Sequence, residues 1–103
     1  MRILGIDPGT AITGIGLIES QGPVIKLIHF ESLRLNSSLL LTVRLKKIYD
    51  NCIRCIEEFN PDELAVETAF YGKNIQSTLK LGQARGVAII AGLNSELSVS
   101  EYS

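Results

Sequence analysis

Hydrophobic and polar positions divide the chain into seven segments. The first, Arg2-Ile-Leu-Gly-Ile-Asp7, is an apolar run that stops on a carboxylate, and the chain then returns through a second apolar segment ending near Glu19. Ile3, Leu4 and Ile6 are too closely spaced for a half-solvated strand, which predicts a central strand covered on both faces. The link Asp7-Pro8-Gly9-Thr10 is a turn: proline presets φ, glycine takes backbone conformations that other residues resist, and the proline bars Asp7 from a helix. A second turn at Gln21-Gly22-Pro23 leads to a third strand from Val24 to Leu33, whose weak one-sidedness suits a sheet edge. Three strands joined by short turns make an antiparallel meander.

Periodicity then changes from strand to helix. Leu41, Leu45, Ile48, Cys52, Cys55 and Phe59 recur at steps of four and three, the core stripe of a helix from about Leu39 to Phe59. Asn36-Ser37-Ser38 supplies candidate caps, and Asn60-Pro61-Asp62 ends the helix. The opposite face, with Arg44, Lys47, Asp50, Asn51, Arg54, Glu57 and Glu58, reads as solvated surface. Glu63-Leu-Ala-Val-Glu67 is a short strand, a second helix runs from about Ile75 to Leu93, and Leu97 to Tyr102 is a fifth strand. Strand, helix, strand implies parallel pairing with a right-handed crossover. The fold class is therefore α/β: a mixed five-stranded sheet, antiparallel meander first and parallel strands after, in a single domain over residues 1–103. Two helices leave one sheet face without cover, so the chain reads as shorter than a complete domain.

Composition narrows the class without fixing it. With 103 residues, 46% hydrophobic and 20% charged, the chain is an ordinary globular domain. Its net charge of −1 argues against polyanion binding by bulk charge, so any nucleic-acid contact must come from locally gathered basic residues. The apolar run Val87–Leu93 is too short to span a bilayer, and Met1-Arg2 opens directly into a strand with no signal-peptide pattern, so a cytoplasmic protein without membrane partners is expected. Cys52 and Cys55 have Cys-x-x-Cys spacing, yet no second pair exists and His29 lies elsewhere. They read as packed free thiols, and His29 as a strand histidine with no catalytic role.

Candidate chemistry gathers at the strand ends. Asp7 alone is read equally well as capping its own turn or as holding a cation. If the strand ending at Glu67 lies parallel beside the first, the two carboxylates sit about 4.8 Å apart in strand spacing, where one ion could bridge them. Just beyond, Phe70, Tyr71, Lys73 and Asn74 form a loop whose aromatics are either core or a stacking surface for nucleobases. Gln76, Ser77 and Lys80 extend its polar side along the second helix. That helix becomes apolar all round from Gly86 to Leu93, which predicts burial on both sides. Gly82, Gly86, Ala84, Ala88 and Gly92 put small residues four apart and permit close approach of another backbone; Gly82, Gly86 and Ile90 are the expected contacts of a two-fold dimer.

Several motifs together resemble one family. Gly5-Ile-Asp-Pro-Gly-Thr, Val66-Glu67, Phe70 with Lys73-Asn74, and above all Leu79-Lys-Leu-Gly-Gln-Ala-Arg-Gly-Val-Ala look like RuvC, the crossover junction endodeoxyribonuclease family. The likeness implies a ribonuclease H-like fold lacking the C-terminal helices, and a homodimer cleaving four-way (Holliday) DNA junctions in recombination and repair. It implies Mg²⁺ as cofactor, with Mn²⁺ as substitute, and a branch-migration helicase as partner. Asp7 and Glu67 match the first two metal-binding acids, Phe70 the aromatic at the junction centre, and the helix around Leu79–Leu93 the dimer helix. Two further acids of the family lie on a later helix outside these residues, so the 103-residue chain by itself is expected to be inactive.

Two other classes compete. An actin-like nucleotide-binding kinase fold also opens with a strand-end Asp followed by Gly and Thr, but leaves Glu67 and the glycine-rich helix unexplained. A non-catalytic DNA-binding or dimerisation module needs only the loop and the helix.

Overall fold

A computed structural model describes residues 1–68 and 74–102. Its strands are β1 (Arg2–Asp7), β2 (Ile12–Gln21), β3 (Val24–Arg34), β4 (Glu63–Glu67) and β5 (Ser98–Tyr102); its helices are α1 (Leu41–Phe59) and α2 (Ile75–Asn94). The sheet order is β3-β2-β1-β4-β5. β1 pairs antiparallel with β2 and parallel with β4, and β5 extends the parallel side. The meander, the crossover and the edge position of β3 thus follow the hydrophobic pattern.

Alternation decides which face is core. Leu4 and Ile6, Ile15 and Leu17, and Leu64 and Val66 are fully buried on one face of the sheet. Against them lie Ile48, Cys52, Cys55 and Ile56 from α1 and Ala84, Ala88 and Ala91 from α2. The alanines and Gly92 let α2 sit low on the sheet: a methyl at Gly92 would come within 2.8 Å of Val99 Cγ2 and 2.9 Å of Leu64 Cδ2. Both cysteines are buried free thiols, pushed up to about 12 (Cys52) and about 11 (Cys55), in each case first by burial.

Three expectations need correction. β1 is central but covered on one face only; Ile3, Gly5, Gly16, Ile18 and Ala65 line an open apolar groove on the other, beside Phe30, which is 63% exposed. Asn36 and Ser38 do not cap α1. Asn36 Oδ1 accepts from Ser38 N at 3.0 Å in a turn of its own, and Leu40 stands at the N-cap with no side-chain bond. The apolar half of α2 is not buried on both sides within the chain, since Ile90 and Leu93 are 49% and 53% exposed. Within the chain Gly92 packs closely, whereas Gly82 and Gly86 face open space, which leaves them free for the expected partner contact.

The polar face of α1 is also more engaged than a solvated surface. Arg54 donates to Glu31, Glu58 and Asn51, and Glu31 bonds His29 Nε2 at 2.8 Å. The His29 ring lies 4.7 Å from that of Phe59, consistent with a satisfied strand histidine. No helix among the described residues is long and apolar enough to cross a membrane.

Candidate active site

The strand register sets the site. Ile6 pairs with Val66, so the next residues, Asp7 and Glu67, end neighbouring parallel strands at the same rim. Asp7 pairs with Gly14 on its other side, and Glu67 with Tyr102. Gly14, Asp7, Glu67 and Tyr102 therefore form one row across four strands. Because side chains alternate along a strand, Asp7 and Glu67 leave the sheet on the face away from Leu4, Ile6, Leu64 and Val66. Gly14 lies directly beside Asp7: a methyl there would stand in ordinary contact with Asp7 Cβ, at 3.6 Å.

The two carboxyl groups converge. Glu67 is held above the ordinary carboxylate range, first by the charge of Asp7, then by burial, then by a hydrogen bond between the two acids. Like charges brought together in this way are stabilised either by sharing a proton or by a cation. A small cavity of about 50 Å³ opens beside them, walled by Pro8, Thr68, Thr78, Leu81, Gly82 and Arg85. Hard carboxylate oxygens at such a rim suit a divalent ion such as Mg²⁺ or Mn²⁺. No group of three or more His, Cys, Asp or Glu that could hold a metal ion exists among the described residues.

The remaining candidates fall out as follows. Phe70, Tyr71 and Lys73 lie outside the described residues. Asn74 caps α2, its Oδ1 accepting from Ser77 N at 2.9 Å, which commits that oxygen locally. Lys80 is exposed on α2. Ile90 lines an apolar groove of about 630 Å³ between α1 and α2, with Gly86, Val87, Leu45 and Tyr49.

Two residues near the acids were not singled out from sequence. Tyr102 reaches back across Ala65, so that its hydroxyl lies 4.0 Å from where a Gly5 methyl would stand. Its phenol is held above the usual range by burial and then by the charges of Glu67 and Asp7. Arg85 walls the acid cavity and pairs with Glu101 at 3.8 Å. Only the end of the parallel strand pairs could have pointed to Tyr102, through its register with Glu67.

A mixed five-stranded sheet with paired acids at the ends of adjacent parallel strands defines a ribonuclease H-like domain with a candidate metal site. The sequence profile of crossover junction endodeoxyribonuclease RuvC matches residues 3–103. A RuvC of Geobacter sulfurreducens is 50% identical over 105 aligned positions, covering all of this chain and 63% of the relative. A solved Thermus thermophilus RuvC in complex with Holliday junction substrate superposes with a TM-score of 0.90 at 25% identity, covering 99% of this chain and 65% of that one. The yeast mitochondrial Holliday junction resolvase Ydc2 shares the fold, with a TM-score of 0.70 at 14% identity and coverage of 98% of this chain and 50% of that one. The chain belongs to the RuvC family, and it spans between 50% and 64% of the length of the curated relatives it matches. That membership sets aside the kinase-like fold.

Proposed function

We propose that the protein containing this chain is a metal-dependent endonuclease that resolves four-way DNA junctions. The observation that carries the proposal is the convergence of Asp7 and Glu67 at one rim of the sheet. The two carboxylates hold Mg²⁺, or Mn²⁺ in its place. When bound, the metal supplies Lewis-acid stabilisation of charge on the phosphate and activation of water. The chain's own part is to fix two oxygen ligands on rigid strand ends and to leave the sheet face open for a DNA backbone. Phe70, Tyr71, Lys73, Asn74 and Lys80 follow or flank Glu67 in sequence, which supports a DNA contact on that side. A cytoplasmic location belongs to the same proposal.

A two-ion site needs more oxygen ligands than two carboxylates. With two carboxylates to offer, the polypeptide of residues 1–103 alone should not cleave. The exposed side of α2, with Gly82, Gly86 and Ile90, supports self-association into a homodimer presenting two sites to two strands.

The test is cleavage of a synthetic four-way junction by the complete gene product in Mg²⁺. Wild type should cut paired strands, while Asp7→Asn and Glu67→Gln should bind junction without cutting. Cleavage by either variant at the wild-type rate would contradict the proposal; cleavage by the 103-residue polypeptide would contradict only its expected inactivity.

A further inference from the structure

The rim that carries Asp7 is fastened from two directions by residues that are not themselves ligands. Thr13 is fully buried, the sole polar residue so placed among the described residues. Its hydroxyl accepts from Gly9 N at 3.2 Å and donates to Gly9 O at 2.8 Å. One side chain thus satisfies both peptide groups of the residue two positions after Asp7. Gly9 must be glycine for this closure, because a methyl there would come within 2.3 Å of Ile12 O. From the other side Arg44 on α1 donates through Nη1 to Thr10 O at 3.0 Å and through Nε to Leu39 O at 3.2 Å. The turn is therefore tied to β2 by Thr13 and to α1 by Arg44.

Asp7 occupies the last rung of the β1–β2 ladder, opposite Gly14. A terminal rung frays unless the chain beyond it is held, and Pro8, the next residue, forms a wall of the acid cavity. We propose that Thr13 is a positioning residue for the metal site, fixing Asp7 and Pro8 through the Gly9 peptide, with Arg44 as its outer counterpart. The inference rests on the metal-site reading above. Thr13 is buried on the same face as Ile15 and Leu17, so the hydroxyl clamp on the ligand-bearing rim is separated from core packing by a substitution that keeps the side chain's shape.

The test uses the complete gene product with Mn²⁺ as probe. Thr13→Val keeps shape and removes the hydroxyl; Thr13→Ser restores it. Thr13→Val should bind Mn²⁺ several-fold more weakly by titration, lower kcat on a four-way junction by about ten- to a hundredfold, and leave the junction KM unchanged. It should also speed exchange of the Gly9 amide, and Thr13→Ser should recover all of these. Arg44→Met, which loosens the turn from the exposed side, should shift Mn²⁺ affinity in the same direction and decides the matter if Thr13→Val does not fold. Asp7→Asn is the control. Undiminished Mn²⁺ binding by Asp7→Asn overturns the metal-site reading. Lost binding in Asp7→Asn, with wild-type Mn²⁺ affinity in folded Thr13→Val or in Arg44→Met, overturns the positioning role alone.

Discussion

Removing one charge from the acid pair should stabilise the metal-free protein, although it disables the site. Asp7 and Glu67 end neighbouring strands at one rim, and the charge of Asp7 is the leading cause of the raised Glu67 carboxyl. Two unit charges about 4 Å apart repel by roughly 1 kcal/mol in water and about 4 kcal/mol at an effective dielectric of 20. Asp7 is exposed and Glu67 half-buried, so solvent screening puts the pair near the lower figure, ~1 kcal/mol. Asn is isosteric with Asp and keeps the turn. For a domain of this size 1 kcal/mol corresponds to roughly 4–8 °C in Tm. Asp7→Asn should therefore melt about 4 °C higher than wild type in EDTA at pH 7. The order should narrow or reverse with metal, because an ion at tenfold its Kd stabilises by ~1.4 kcal/mol and the variant forfeits that gain. The sign with pH follows: a carboxyl raised in the folded state makes stability fall as pH rises through its titration, so the advantage of the variant should vanish at low pH. Scanning calorimetry with EDTA and with Mg²⁺ reads both effects. A lower Tm for Asp7→Asn in EDTA, or equal Mg²⁺ responses, would refute the reasoning.

Three further outcomes are expected. Burial acts to raise Glu31, but hydrogen bonds from Arg54, His29 and Asn51 outweigh it and bring the group to about 2. Glu31 thus contributes stability above its unfolded value near 4.5 and loses it as pH falls toward 2; Glu31→Gln should remove about 1–2 kcal/mol at pH 7 and flatten urea midpoints across that window. Cys52 and Cys55, raised to about 12 and about 11, should react with Ellman's reagent at pH 8 only as fast as the protein unfolds. Gly92→Ala should destabilise by about 1–2 kcal/mol through overpacking against Val99 and Leu64, whereas Gly86→Ala, in open space, should gain up to ~1 kcal/mol of helix propensity while weakening self-association in sedimentation experiments.

The elements and their order were legible because each rests on local periodicity. Steps of four and three in Ile48, Cys52 and Cys55 report a buried face directly, whereas the period two of Leu4, Ile6, Ile15 and Leu17 is masked by Ile3 and Ile18, which are apolar on the opposite face. The convergence of Asp7 and Glu67 was legible one step further, since parallel pairing places strand ends side by side. What escaped was set by contacts distant in sequence. Arg44 reaches Thr10 across 34 positions and Arg54 reaches Glu31 across 23, so nothing in the α1 pattern distinguishes them from solvated charges. The start of α1 was misplaced because Asn36 and Ser38 bond each other instead of the helix. The apolar circumference of α2 predicted two buried sides, and the chain supplies cover for only one.

The most direct test is anomalous diffraction from crystals of the complete protein soaked in Mn²⁺. A peak within about 2.0–2.3 Å of carboxylate oxygens from both Asp7 and Glu67 is the predicted result. Ordered Asp7 and Glu67 side chains with no peak between them at saturating Mn²⁺, or a peak ligated elsewhere, would contradict the shared metal site.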